Sequence, residues 1–139
     1  MSAGFIANSS VGVAWAVHAQ ASDATDRLLE DVAAGTLLAV PMLWPLEVAN
    51  SLLVLLRRRR ILAADRGRAL DALARLPLVV DDEGPRRAFG RISELAAGHG
   101  LSVYDATYLE LALRRRLPLA TRDQALRQAA QDGGVRLLL

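Results

Sequence analysis

Two carboxylates stand where a folded chain is expected to bury hydrocarbon. Glu47 lies inside Leu43-Trp44-Pro45-Leu46-Glu47-Val48-Ala49-Asn50-Ser51-Leu52-Leu53, and Asp105 inside Leu101-Ser102-Val103-Tyr104-Asp105-Ala106-Thr107-Tyr108-Leu109. An ionised carboxylate taken out of water is normally neutralised, paired or bound to a metal, and no basic residue stands within a few positions of Glu47. A shared cation is the leading reading. Together with Asp123 and Asn8, the two acids make an all-oxygen set suited to Mg²⁺ or Mn²⁺, ions that prefer carboxylate and water ligands. Such an ion could acidify a water, orient it for in-line attack on a phosphodiester and offset charge building on the phosphate. Ser9 and Thr121, next to Asn8 and near Asp123, and Asn50 and Ser51, one helical turn beyond Glu47, are candidates to support these ligands from behind.

Each feature also has a plainer explanation. Ser102-x-x-Asp105 has the form of a capping box, with Asp105 facing the free amides of a helix start. Thr121-x-x-Gln124 has the same form, which would leave Asp123 as an acid complementing the helix dipole. Glu47 discriminates best, because its neighbours are too apolar to explain a solvated charge. The run Arg57-Arg58-Arg59-Arg60 ends a helix, where cations complement the dipole, or else it contacts phosphate, and Arg114-Arg115-Arg116 has the same two readings. Arg57, Arg58, Arg114 and Arg115 are therefore candidate contacts to nucleic-acid phosphates. Leu52-Leu53-Val54-Leu55-Leu56 is apolar around the whole helix and predicts an interface with a second copy or a partner. His18 and His99 are not paired at zinc spacing, and Trp15 and Trp44 suit the core, with RNA stacking a second option for Trp44.

The elements that must position these residues follow from pattern. Strands are expected at 5–7, 36–40, 78–80, 118–120 and 135–139, the third of them buried. Helices are expected at 11–17 behind Asn8-Ser9-Ser10, at 23–34 before Gly35, from Pro45 to about 59, at 65–75, 85–97, from Ser102 onward, and at 121–131. Short apolar strands alternating with helices imply an α/β fold, a three-layer α/β/α sandwich around a short parallel sheet. In such folds the ligand crevice lies beyond the carboxyl ends of the strands, where strand order reverses. Glu47 and Asp105, placed in first helical turns, should share that rim with Asn8 and Asp123.

Composition narrows the chemistry further. The 139 residues suit one domain, 1–139, large enough to hide roughly 68–70% of the unfolded surface. No stretch reaches the ~18 charge-free apolar residues of a membrane span. Residues 4–17 followed by Ala19-Gln20-Ala21 imitate an export signal, but no Lys or Arg precedes Arg27, and such a signal needs a basic leader. There are no cysteines, so disulfides, thiol nucleophiles and thiolate zinc sites are excluded. All 17 basic residues are arginine, which removes P-loop and Schiff-base chemistry, both of which need lysine. The net charge of +2 permits a nucleic-acid partner without requiring one.

Four segments taken in order resemble a known family. Phe5-Ile6-Ala7-Asn8-Ser9-Ser10-Val11, with Trp15 following, resembles the opening of the PIN domain, in particular of the VapC toxins of bacterial toxin–antitoxin pairs. Trp44-Pro45-Leu46-Glu47-Val48-Ala49-Asn50 is similar to the second acidic segment, Leu101-Ser102-Val103-Tyr104-Asp105-Ala106 to the third, and Leu119-Ala120-Thr121-Arg122-Asp123 to the fourth. The resemblance covers essentially the whole chain; each motif alone is weak, and the series is fairly specific. It implies a PIN-like fold and a cytoplasmic, Mg²⁺- or Mn²⁺-dependent endoribonuclease that pairs as a homodimer. It also implies a cognate VapB-like antitoxin holding the enzyme inactive, with DNA touched only through that antitoxin and no membrane involved. Glu47, Asp105 and Asp123 match the family's acids, but its first acid is an aspartate where this chain has Asn8. An amide oxygen can ligate a cation without bringing charge, so the departure implies reduced or abolished activity. It is compatible with a natural loss and with deliberate replacement. A catalytically inactive PIN-like module that binds protein or RNA is the alternative.

Overall fold

The computed structural model describes residues 4–139. Its strands are β1 (Phe5–Ala7), β2 (Leu38–Pro41), β3 (Leu78–Asp81) and β4 (Leu119–Ala120). The helices are α1 (Ser9–Ala16), α2 (Asp23–Ala33), α3 (Leu43–Arg57), α4 (Ala63–Ala74), α5 (Gly84–Arg87), α6 (Ser93–His99), α7 (Val103–Arg115) and α8 (Gln124–Asp132). A 3-10 turn, His18–Gln20, and a π-helical stretch, Ala88–Ile92, complete the ordered elements. All strand pairings are parallel, in the spatial order β3-β2-β1-β4. Phe5, Ile6, Leu38, Ala39, Val40 and Leu119 are buried, as strands covered on both faces require. Helices α1, α2, α3 and α4 pack together, while α7 lies across β1, β2 and β4 and carries α6 and α8. This is the expected three-layer α/β arrangement.

Strand order explains where a site can form. The chain moves from β1 outward to β2 and β3, then returns to the other side of β1 as β4. The switch point therefore lies between β1 and β4, the position at which such sheets open a crevice at their carboxyl ends. Asn8 follows β1 directly, and Asp123 is the third residue after β4. The pairs Ile6 with Leu119 and Ala7 with Ala120 set the register, and the Asn8 amide donates to the Ala120 carbonyl at 2.8 Å.

Several sequence expectations are corrected. Residues 78–80 do not form a buried strand: β3 is the sheet edge, and Val79 and Val80 are exposed. The expected strand at 135–139 is reduced to one parallel bridge between Leu119 and Leu137, because β4 is only two residues long. The helix expected over 85–97 is broken by its π-helical stretch. Helix α3 begins at Leu43, two residues before Pro45, so Glu47 falls in the second turn rather than the first. Proline tolerates this position because the first amides of a helix have no intrahelical acceptor. In the run 52–56, only Leu52 is fully buried and the rest are half-buried. Among the described residues no helix is long and apolar enough to cross a membrane.

Candidate functional site

Helices α1 and α3 approach unusually closely, and this sets Glu47. A Cβ on Gly12 would lie 2.6 Å from Trp44 Cζ2 and 2.9 Å from Val48 Cγ2, so only glycine lets α1 sit there. Trp44 and Val48 are buried, which holds Glu47 between them in sequence at a half-buried position. The Tyr108 hydroxyl, from α7, donates to Glu47 Oε1 at 2.5 Å. Tyr108 is fully buried. Burial raises the Glu47 pKa; the Tyr108 hydrogen bond opposes this, Asp105 adds to it by repulsion, and the nearby Ser9 hydroxyl opposes it. Burial, then the bond and charge of Glu47, drive the Tyr108 pKa far up, so the phenol stays a donor.

Asp105 occupies the first turn of α7 as expected. Its amide donates to the Ser102 hydroxyl at 3.0 Å, which caps the helix. The reciprocal bond of a capping box, from the Ser102 amide to the Asp105 carboxylate, is absent among the described residues, whereas α2 has both halves of its box. The cap therefore does not account for the carboxylate. Its pKa is raised first by burial and then by the charge of Asp123, with the Ser102 hydroxyl opposing.

Asp123 is itself the N-cap of α8, accepting the Leu126 amide at 2.8 Å through Oδ1. Helix α8 thus starts three residues later than expected, and Thr121 is not its cap. Thr121 is instead buried and accepts the Asp123 amide at 3.1 Å, fixing the turn. Arg122 ties this turn to α1: its guanidinium donates to the Gln20 carbonyl at 2.8 Å and the Ser10 carbonyl at 3.1 Å. Asn8 is buried and caps α1, its Oδ1 accepting the Ser10 amide at 3.1 Å.

Electrostatics link the acids in sequence: Asp123 acts on Asp105, and Asp105 on Glu47. Among the described residues no group of three or more Asp, Glu or His side chains is drawn close enough to form a metal cage alone. The donors are all hard oxygens, and like charges crowd on one rim. That donor set fits a divalent ion that keeps part of its water shell.

Other candidates are placed differently. Asn50 is exposed and Ser51 half-buried, and among the described residues neither is hydrogen-bonded to Glu47. Arg57, Arg58 and Arg115 are exposed. Arg114 is engaged elsewhere: its guanidinium donates to Asp81 at 2.7 and 2.9 Å, to Glu83 at 2.9 Å and to Glu110 at 2.9 and 3.0 Å. It is a structural clamp, with little capacity left for phosphate. Trp44 is buried and unavailable for stacking. Sequence reasoning passed over Tyr108 and Arg122. Tyr108 had a usable signal, since it stands three residues after Asp105 and so shares its helix face; Arg122 had none, because its partners are remote in sequence.

A sequence model of the PIN domain matches residues 8–132, and the chain belongs to that family. PIN domains are generally nucleases and generally use divalent metals. The fold is similar to the crystal structure of PAE2754 from Pyrobaculum aerophilum, at 23% identity and a TM-score of 0.71, covering 99% of this chain and 92% of that one. It is also similar to VapBC2 from Rickettsia felis bound to a DNA fragment from their promoter, at 15% identity and a TM-score of 0.64, with 96% of each chain covered. No protein with a curated description matches significantly in sequence.

Proposed function

We propose that the chain is a VapC-like toxin, an endoribonuclease that depends on Mg²⁺ or Mn²⁺ and is weakened by Asn8. One observation carries this reading. Glu47 and Asp105 are half-buried, and each holds its proton more tightly first because burial disfavours the charged form and further because a neighbouring acid, Asp105 for Glu47 and Asp123 for Asp105, is charged. Such an arrangement disfavours the apo fold and is relieved by a cation.

When bound, a divalent ion supplies acidified water and neutralises charge on a phosphodiester. Glu47, Asp105 and Asp123 would hold it, with Asn8 offering an uncharged oxygen. Tyr108 fixes one oxygen of Glu47. Thr121 and the Leu126 amide fix Asp123. Arg57, Arg58 and Arg115 are exposed and would meet phosphates along the RNA. The cytoplasm is the expected site of action. A VapB-like antitoxin is the expected partner, because the Rickettsia felis structure holds a toxin of this fold with its antitoxin on DNA. DNA contact would then come through the antitoxin. Half-buried Leu53, Val54, Leu55 and Leu56 support a homodimer.

Asn8 favours the second reading, an inactive PIN module that binds RNA or protein. Cleavage of varied single-stranded and structured RNAs by the Asn8→Asp variant, with Mn²⁺ and with EDTA, separates the two. The nuclease reading expects cleavage that rises at least tenfold over the Asn8 chain and vanishes with EDTA, one added carboxylate charge being the cause. An Asn8→Asp form that cleaves nothing leaves the inactive module.

A further inference from the structure

A cavity of about 300 Å³ opens between α3 and α4, lined by Trp44, Val48, Ala49, Leu70, Leu73 and Ala74 among others. Among the described residues that line it, no side chain is charged and none carries a hydrogen-bond acceptor. One polar atom stands out in this apolar wall. The Trp44 indole N–H is buried, and among the described residues it has no hydrogen-bond partner. A buried donor left unpaired costs the whole desolvation of that group, and a buried indole N–H usually finds an acceptor. The other tryptophan does so: the Trp15 indole donates to the Thr25 carbonyl at 2.7 Å. Trp44 has little freedom to turn toward a partner of its own. Helix α1 packs so closely on its ring that a Cβ on Gly12 would lie 2.6 Å from Cζ2 and 3.2 Å from Cε2, and the residue is only 2% exposed.

We propose that this cavity is a binding site for a small neutral molecule, mostly apolar, that offers one hydrogen-bond acceptor to the Trp44 indole. The size fits, since about 300 Å³ is the lower end of the range for small-molecule pockets. An uncharged wall selects against ions, which would lose their water without gaining a partner. It also selects against a peptide segment. Each peptide carbonyl brings an N–H with it, and the wall has no side-chain acceptor to receive that donor. A ketone, an ester or an aromatic ring nitrogen satisfies the lone indole donor and leaves nothing unpaired. Neither Glu47 nor Asp105 lines the cavity, so this site is independent of the nuclease reading.

The test is the proton–nitrogen correlation spectrum of the isotope-labelled chain, in which two tryptophans give two indole signals, told apart with Trp15→Phe. Acetophenone is the probe, having one acceptor and no donor. Its control, α-methylstyrene, has the same shape with a CH₂ group in place of the oxygen. Acetophenone should move the Trp44 indole proton downfield, saturably and with a Kd of about 1 mM or tighter, and leave the Trp15 signal in place. The control, followed through the Val48 methyl signals, should bind at least roughly fivefold more weakly for want of the hydrogen bond. Ala49→Leu and Ala74→Leu, which fill the cavity from opposite helices, should each abolish the response. A Trp44 signal that ignores acetophenone overturns the site, and a cross-peak to bound water would then name the acceptor. Equal affinity for the two probes, or a response that survives both filling substitutions, overturns it as well. A Trp44 shift that follows protein concentration with no probe present gives the cavity to a second copy and also overturns it.

Discussion

Glu47 and Asp105 hold their protons more tightly than free carboxyls, chiefly because burial disfavours the charged form. The sign of the consequence follows. A folded pKa above the unfolded one means that ionisation costs stability above the folded value, and this cost fades as pH falls through it. Removing either charge should therefore stabilise the metal-free protein. Glu47→Gln and Asp105→Asn are expected to gain about 0.5–1 kcal/mol at pH 7 in urea unfolding without divalent ions, and to lose that advantage in mild acid. A loss of stability at pH 7 in both variants would mean that these carboxylates serve the fold and not a ligand. At this scale the sequence was informative where chemistry conflicts with surroundings, as with Glu47 among leucines. It was silent where a contact joins remote segments, as with Arg122 and the Ser10 carbonyl.

Helix ends show how local signals can be read and misread. Helices α2, α6 and α8 are followed by Gly35, Gly100 and Gly134 at positive φ, the conformation glycine adopts freely. Helices α3 and α7 end the same way but place Arg59 and Arg116 at φ of 58° and 53°. Both ends carry the paired backbone bonds of a helix stop: the Arg60 amide to the Leu55 carbonyl at 2.8 Å, and the Leu117 amide to the Ala112 carbonyl at 3.1 Å. A side chain there costs about 1 kcal/mol or more. Arg59→Gly and Arg116→Gly should each raise stability by about 0.5–1 kcal/mol, measured as a higher urea midpoint with unchanged slope. Destabilisation in both would show that these arginines make contacts worth more than the strain. The glycine-marked ends were legible because glycine punctuates helices visibly. The arginine-marked ends were not, since runs of four and three arginines read equally as dipole complement or phosphate contact. Strand β3 misled for a related reason: Leu78-Val79-Val80 has the composition of a buried strand, but exposure depends on sheet order, which no single strand encodes.

Across the whole molecule, two groups of charges have opposite roles. Arg114 on α7 clamps Asp81 at the end of β3, Glu83 beyond it, and Glu110 one turn back on its own helix. Glu110 is only 3% exposed, and Arg87 approaches it at 3.6 Å. Hydrogen bonds from Arg114 hold the Asp81 carboxyl below its usual pKa. That contribution is present above the unfolded pKa and is lost as pH falls through the folded one, so acid should loosen the β3–α7 connection below about pH 4. Arg114→Met, which among the described residues leaves the buried Glu110 with the Arg87 ion pair at 3.6 Å, should cost about 3 kcal/mol at pH 7. Asp81→Asn should flatten the acid limb of the stability curve. Glu47, Asp105 and Asp123 couple as like charges, and among the described residues no arginine clamps them; the α/β order and the PIN family were readable from alternating patterns and four short motifs. Isothermal titration of Mn²⁺ into the Asn8 chain, Asn8→Asp and Asn8→Asp with Asp105→Asn tests this most directly. Asn8→Asp should bind roughly tenfold or more tightly than the parent, and adding Asp105→Asn should remove most of that affinity. Binding that is absent in Asn8→Asp, or indifferent to Asp105, would contradict the account.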